Sequence, residues 1–315
     1  MLNFLELKTQ TAKLAQRADD SNYVTLIGQW VNTSVDFLSK IYDYWAELEA
    51  IHNFTTVAST ESYYMPQKFD KPLRIKDLTN TKDLVVKTEQ EYVDGYLSSI
   101  VNSTTVTAPL IARFYGMSPV TKQISTSGGI VKAQSSTTEA SSRTIRVSGY
   151  IDSARTVIGY ENLTVTSTSY ATGTVTFYEL LYVSKDSDTT GTITLANSSN
   201  ETLVTMSTVD RVMRFKVLKL GQIPSGANSM RIWYKRGIDR MVNDYDYPFV
   251  EADDFILLNS LGYCYMQEKE TMERASIAWQ KAEAVLLNQL KNVQGRLGDS
   301  YQHKIISSLM QSHRS

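Results

Sequence analysis

The chain has 315 residues and a formal net charge of −1, and 42% of its residues are hydrophobic and 21% charged. This length allows two domains of ordinary size, and this composition excludes a chain that is disordered throughout. The near-zero charge argues against nucleic-acid binding as the main function, although a protein that lets DNA slide past would also avoid a strongly basic surface.

The sequence carries no sign of secretion, membrane insertion or cysteine chemistry. Residues 1–8 lack the basic segment and long apolar core of a signal peptide. No run of about 18 apolar residues follows, so we expect no membrane span. The single cysteine, Cys264, allows neither an intrachain disulfide nor a cysteine-based metal site, and its apolar surroundings predict a buried thiol.

The first 120 residues begin with helical spacing and continue with strand-like alternation. A capping cluster at 19–21 precedes a helix expected over 22–45, and a shorter helix is expected before the cluster. From about residue 54 short strands are expected, with a further short helix at 88–100 and a strand at 109–115. The apolar positions of the long helix are Tyr23, Leu26, Ile27, Trp30, Val31, Phe37, Leu38 and Ile41.

Residues 121–211 differ in composition, because about a third of them are serine or threonine and their apolar residues alternate. Alternation predicts a small antiparallel sandwich with strands at 143–149, 162–166, 173–177 and 191–195. A disordered linker is the alternative for so polar a segment, and the alternation argues against it for most of the length. Residues 125–142 are expected to be mobile.

The last hundred residues return to strands and helices. Strands at 214–218 and 229–234 are expected to pair as a hairpin across a long turn at 221–226. Acidic residues at 251–254 mark a helix start, where the helix dipole favours negative charge. A second helix is expected over 274–290, with Ala278 and Ala282 allowing close packing, and 301–309 suits a last amphipathic segment.

Two regions of similar style that flank a block of different style indicate a domain insertion. We therefore expect one discontinuous domain formed by residues 1–120 and 212–315, with residues 121–211 inserted into it. The predicted fold class is α+β: a helical domain with β-hairpins, interrupted by an antiparallel β-sandwich.

A search for catalytic chemistry finds no convergent motif. None of the histidines (His52, His303 and His313) has a carboxylate or serine partner at a telling spacing. The sequence also lacks a phosphate-binding glycine motif. We therefore predict no catalytic residues and no cofactor.

Two acidic groups are the remaining candidates for a hard cation such as calcium. Their spacing lacks the alternation of a calcium loop, which favours a surface loop and a helix N-terminus instead. We accordingly predict no metal site. The two groups are Asp239, Asp244 and Asp246, and Glu251, Asp253 and Asp254.

The order of these elements resembles the head–tail connector (adaptor) proteins of tailed bacteriophages. The resemblance is carried by Ile27-Gly-Gln-Trp-Val-Asn32, Ile41-Tyr-Asp-Tyr-Trp45, Tyr63-Tyr-Met-Pro66, Met230-Arg-Ile-Trp-Tyr-Lys-Arg236, Tyr247-Pro-Phe249 and the helix pair 253–290. The middle block looks like an Ig-like sandwich found inserted in some phage structural proteins, through Val147-Ser-Gly-Tyr150, Val183-Ser-Lys-Asp186 and Gly191-Thr-Ile-Thr194. These short, degenerate motifs span most of the chain, and nothing beyond Leu290 matches.

The resemblance implies a structural protein of the virion, made in the host cytoplasm, with no enzymatic activity and no membrane. The helical region would be an adaptor domain that forms a ring of about twelve protomers beneath the portal protein. This ring would contact the next tail protein and line the channel for double-stranded DNA, without sequence-specific binding. A ring needs two complementary patches on each protomer, for which the helices 22–45 and 253–290 are the candidates.

The candidate interface residues lie on these helices and in a C-terminal arm. The arm, 296–315, would order on a partner, or remain a frayed terminus that binds nothing. The candidates are Trp30, Phe37, Trp45, Tyr265 and Trp279 on the helices, and Ile305, Ile306 and Leu309 in the arm.

Two other functions remain open. In one, the sandwich is a carbohydrate- or cell-surface-binding module and the helices oligomerise it, which aromatic residues exposed on one sandwich face would favour. Its aromatic residues are Tyr150, Tyr160, Tyr170, Phe177, Tyr178 and Tyr182, several of which are expected in the core. In the other, the chain is an enzyme whose carboxylates converge from distant segments.

Overall fold

A computed structural model describes residues 1–41, 45–92, 105–238, 240–267 and 272–293. Contacts between Cα atoms divide the chain into a terminal unit, Met1–Glu49 with Lys235–Ser315, and a central unit, Ala50–Tyr234. The helices are α1 (Phe4–Leu14), α2 (Ser21–Ile41), α3 (Glu89–Tyr92), α4 (Asp253–Gln267) and α5 (Met272–Val293). The strands are β1 (Glu49–Thr55), β2 (Ser62–Tyr64), β3 (Phe69–Asp77), β4 (Lys82–Val86), β5 (Thr105–Val106), β6 (Ile111–Ser118), β7 (Val131–Ser135), β8 (Arg143–Tyr150), β9 (Ile158–Val165), β10 (Ala171–Thr172), β11 (Glu179–Lys185), β12 (Ile193–Asn197), β13 (Thr202–Met206), β14 (Phe215–Leu220), β15 (Ile223–Pro224) and β16 (Ser229–Arg236).

The first two helices of the terminal unit begin at side-chain caps. The Asn3 side chain accepts the backbone N–H of Glu6 at 2.8 Å, and the Glu6 carboxylate accepts that of Asn3 at 2.8 Å. At the start of α2 the Asp20 carboxylate accepts the backbone N–H groups of Asn22 and Tyr23. Each cap thereby satisfies two backbone N–H groups at its helix start, as the capping cluster at 19–21 indicates for α2.

The core of the terminal unit is formed mainly by α1, α2 and α4. A small polar cluster lies inside it, where Ser34 Oγ is 3.0 Å from Ser260 Oγ and accepts the Asn259 amide at 3.0 Å. Because these buried polar groups are hydrogen-bonded to one another, they do not carry the full cost of burial. The surrounding apolar residues include Phe4, Leu7, Ile27, Val31, Leu38, Phe255, Ile256 and Leu261.

Helices α4 and α5 approach closely where a glycine faces a tryptophan. A Cβ atom on Gly262 would overlap the indole ring of Trp279. We expect Gly262→Ala to lower the free energy of unfolding by about 1–3 kcal/mol, because extra atoms in a packed seam force displacements. Urea unfolding followed by tryptophan fluorescence measures this change. Gly226→Ala is the control, since nothing lies within 4 Å of that Cβ position; equal stability of the two variants would contradict the close packing.

The central unit contains a seven-stranded sheet with the strand order β1-β16-β3-β4-β6-β14-β2. The pair β4–β6 is parallel, whereas β3–β4, β6–β14 and β14–β2 are antiparallel. Phe69 stacks on both Phe114 and Tyr234, with ring centroids 5.0 and 4.7 Å apart. The buried residues of this core are Met65, Phe69, Ile75, Leu84, Ala112, Leu218, Leu220, Met230, Ile232 and Tyr234.

The predicted hairpin of 214–218 with 229–234 is wrong. Both segments form strands, but β14 lies between β6 and β2, whereas β16 lies between β1 and β3. The connection between them contains β15, which pairs in parallel with β5. Alternation specifies which face of a strand is buried and leaves the identity of the neighbouring strand open.

Two smaller sheets with the strand orders β10-β7-β12-β13 and β11-β8-β9 bury their inner faces in one apolar core. Strands β8 and β9 are paired from Arg143↔Val165 to Tyr150↔Ile158. The segment 125–142, expected to be mobile, includes β7, whose Val131 and Ala133 are fully buried. In place of the strand expected at 173–177, the chain forms the short β10 and an isolated bridge between Phe177 and Gly129.

The predicted fold class is wrong, because the described chain is mostly β-sheet and a helical adaptor domain is not shown in it. The short strands on either side of the sandwich, interpreted as hairpins attached to helices, join instead into the seven-stranded sheet. Contacts group this sheet with the sandwich in the central unit. The division at residues 121 and 211 stays a prediction. Of the segment 88–100, α3 is described, while 93–100 and 301–309 lie outside the described residues.

Candidate interaction surfaces

Three acidic residues of the two candidate cation groups make contacts within the protein. Asp244 pairs with Lys8 at 2.6 Å, and Asp253 accepts the backbone N–H of Leu2 at 2.7 Å. Burial opposes ionisation of Asp246, but backbone N–H groups of Asn243 and Val242 outweigh it and lower its pKa. Asp239 lies outside the described residues. Within the described ranges no group of three or more His, Cys, Asp or Glu side chains could hold a metal ion.

The histidine of the described chain is half-buried, and its cysteine is fully buried. The His52 ring stacks on Phe54 with centroids 5.8 Å apart, and burial lowers the pKa of the imidazole. The neutral form is therefore favoured at pH 7. Cys264 is fully buried in α4, as the sequence predicts. His303 and His313 lie outside the described residues.

Three of the aromatic interface candidates lie in or against the helical core of the terminal unit. Trp30 meets Tyr23 edge-on with ring centroids 5.6 Å apart, and Phe37 stacks on Phe255 at 6.0 Å. Trp45 is only 4% exposed, and its Nε1 donates to the carbonyl of Leu38. These contacts are made within one chain, so the role of these residues between chains stays a prediction.

Tyr265 lines a surface groove between α4 and α5, which we call the α4–α5 groove. The groove has a volume of about 240 Å³ and is lined by Leu258, Leu261, Tyr265, Arg274, Ile277, Ala278 and Lys281. Its apolar floor is flanked by two basic side chains, and Ile277 is 45% exposed. Trp279 instead packs edge-on against Tyr263 in the seam between the helices. Ile305, Ile306 and Leu309 lie outside the described residues.

A second cavity, about 540 Å³, lies against α1 and α2 and is polar. Three of its polar side chains already make contacts within the terminal unit. Lys8 pairs with Asp244, Asn32 exchanges two hydrogen bonds with the backbone of Met241, and Arg240 lies 3.7 Å from Asp36. The α4–α5 groove is therefore the better candidate for contact with another molecule.

Tyrosines lie on the outer face of the three-stranded sheet β11-β8-β9. The pairing places Tyr182, Ser148 and Tyr160 in one row across the three strands. Tyr160 is 60% exposed, and the guanidinium of Arg146 lies 4.4 Å from its ring centroid. Of the aromatic residues weighed as a binding face, Phe177 is the one that is fully buried. We call Tyr182, Ser148, Tyr160, Arg146 and Tyr150 the tyrosine face.

The sequence contains signals for both surfaces. Ile277 is apolar but out of phase with the inward-facing Ala278 and Ala282, and basic residues at 274 and 281 flank it on the same side of the helix. On β9, Ile158 and Tyr160 lie on the opposite face of the strand from the buried Leu163 and Val165. In both places an apolar or aromatic side chain occupies a position that the periodicity of its helix or strand assigns to solvent.

None of the helices in the described part of the chain is long and apolar enough to cross a membrane. No known family's sequence model matches the chain, and no curated protein matches it.

Proposed function

We propose that the chain is a structural subunit of a virus particle that assembles with its own copies into a closed ring at the head–tail interface. The α4–α5 groove carries this proposal. It is an apolar surface on two long helices, rimmed by Arg274 and Lys281, and suits an apolar side chain beside an acidic one from a neighbouring subunit. The resemblance to connector proteins supplies the biological setting.

Ring closure demands a particular kind of contact. A head-to-tail interface joins two different patches, and each protomer must display both. The α4–α5 groove serves as the receiving patch in this proposal. Burying Ile277 against a neighbour removes an exposed apolar side chain from water, which favours association.

In this proposal the ring lies beneath the portal protein and above the next tail protein, and double-stranded DNA passes through it. A net charge of −1 supports such a passage, because a strongly basic surface would retain the DNA through its phosphates. The chain acts as a scaffold in the virion and carries out no catalysis.

The experiment introduces a charge into the groove with Ile277→Glu. We expect this change to weaken each subunit contact by about 2–3 kcal/mol, because the carboxylate would have to be desolvated at the interface. Sedimentation velocity of the full chain measures the loss of the ring in favour of monomer.

The matched control is Gln280→Glu, which adds the same charge to an exposed position of α5 that does not line the groove. This variant is expected to assemble like the wild type. Full assembly of Ile277→Glu, or equal loss in both variants, would contradict the groove as the subunit contact.

A further inference from the structure

The outer face of the three-stranded sheet combines aromatic, hydroxyl and cationic groups in neighbouring rows. Strand pairing sets Tyr182, Ser148 and Tyr160 in one row, and Ser184, Arg146 and Asn162 in the next. Neighbouring strands lie about 4.8 Å apart, so the Cα atoms of the two tyrosines are separated by about 10 Å. Because Ser148 is much smaller than the tyrosines on either side of it, this row implies a shallow furrow along β8 between Tyr182 and Tyr160.

The exposure of this face is unusual for so many large side chains. Ile158 is 62% exposed and Tyr160 60%, and Tyr182 is 37% exposed on the opposite edge strand. Val157 and Leu181, their neighbours in sequence, are 50% and 39% exposed. A contiguous patch of this kind, rimmed by polar groups, marks a binding surface more often than scattered single residues do.

The charge of the face comes from one guanidinium. Glu179, at the end of the sheet, is paired with Arg155 at 3.1 Å. Arg146 instead lies over the Tyr160 ring and forms no ion pair among the described residues. A ligand that lies along the furrow and carries a carboxylate near Arg146 would therefore be attracted by the positive guanidinium.

These groups match the chemistry of a sugar chain that carries carboxylates. The C–H faces of pyranose rings stack on tyrosine rings, because a tyrosine presents an apolar body with a polar tip. The guanidinium of Arg146 covers one face of the Tyr160 ring, so in this proposal the sugar stacks on the opposite face of Tyr160 and on the Tyr182 ring. Ser148, Ser184 and Asn162 supply donors and acceptors for sugar hydroxyls at the spacing of neighbouring strands. We propose that the tyrosine face binds an acidic polysaccharide built from uronic acids, a binding function that goes beyond ring assembly and does not depend on it.

The test measures binding of the full-length chain to immobilised polygalacturonate, with uncharged dextran as the reference polymer. We expect saturable binding to polygalacturonate. Tyr160→Ala and Tyr182→Ala are each expected to raise the dissociation constant about tenfold, because each removes one stacking ring. Tyr160→Phe, which keeps the ring, is expected to stay within about twofold.

Arg146→Gln separates charge recognition from stacking. This change is expected to remove most of the preference for polygalacturonate over dextran, an effect of about tenfold. Tyr170→Ala is the control, because Tyr170 precedes β10 and lies outside the three-stranded sheet. Circular dichroism checks that each variant keeps its fold.

Three results would overturn the proposal. The first is the lack of saturable binding of the wild-type chain to polygalacturonate. The second is unchanged binding of the tyrosine variants, which would indicate attraction by charge alone. The third is an equal loss of binding in Tyr170→Ala. All three are independent of whether the chain forms a ring, so failure here leaves the assembly proposal to its own test.

Discussion

Replacing Phe177 by alanine is expected to lower the free energy of unfolding of the central unit by about 3–5 kcal/mol, since the change opens a cavity in a packed core. Phe177 is fully buried in the apolar core of the sandwich. Its backbone also bridges to Gly129, exchanging hydrogen bonds of 2.9 Å in both directions. The side chain therefore fixes a segment that has no long strand of its own.

Hydrogen exchange of peptides from β8 and β11 measures the effect of Phe177→Ala in the sandwich itself, because none of the four tryptophans lies in its two sheets. Phe177→Leu keeps most of the apolar volume and is expected to cost about 1–2 kcal/mol. A loss below about 1 kcal/mol for the alanine variant would show that Phe177 does not hold the two sheets together.

Replacing Glu139 by glutamine is expected to lower the free energy of unfolding by about 2–4 kcal/mol, because the NH₂ group of the new amide would face hydrogen-bond donors and could not accept from them. The buried carboxylate of Glu139 accepts hydrogen bonds from Ser135 Oγ at 2.6 Å, Thr190 N at 2.7 Å and Gly191 N at 3.0 Å. It thus joins β7 to the segment that leads into β12. The matched control is Glu201→Gln, at an exposed acid paired with Lys122, which is expected to cost far less than Glu139→Gln because solvent screens an exposed pair.

The effect of Glu139→Gln is expected to depend on pH. Burial opposes ionisation of Glu139, but the hydrogen bonds from Ser135, Thr190 and Gly191 outweigh it and hold its pKa below the ordinary value of 4.5. The ionised Glu139 carboxylate therefore contributes its full stabilisation of the folded state above pH 4.5. This contribution is lost as the pH falls through the lowered pKa of Glu139 in the folded state. Urea unfolding from pH 7 to pH 3 should show the wild type approaching the variant at acid pH. A constant difference over this range would contradict an ionised Glu139.

The sequence predicts the local elements of this fold better than their pairing. The capping residues at 19–21 and the 3.6-residue spacing locate α2, and acidic residues at 253–254 mark the start of α4. Alternation locates β8 and β12. Strand partners are set by contacts between distant segments, such as β4 with β6 and β14 with β2. The alternation of apolar and polar residues carries no information about those contacts, which explains why the predicted hairpin and fold class are wrong.

The candidate interaction surfaces are equally hard to predict from the sequence. The interface candidates that the sequence predicts include large aromatic residues on helices, and the structure places Trp45 in the core and Trp30 and Phe37 against it. Size and helical phase do not distinguish a residue that packs within its own chain from one that meets a neighbour. Ile277 and Tyr160 differ from these because each is an apolar or aromatic residue at a solvent-facing position. Such out-of-phase residues are the signal from which both surfaces could have been found.

Native mass spectrometry of the full-length chain over a range of concentrations tests ring assembly most directly. We predict a closed species of a single stoichiometry, near twelve copies, that forms from the chain alone as the concentration rises. A monomer at every concentration, or a stable dimer or trimer that grows no further, would contradict assembly into a ring.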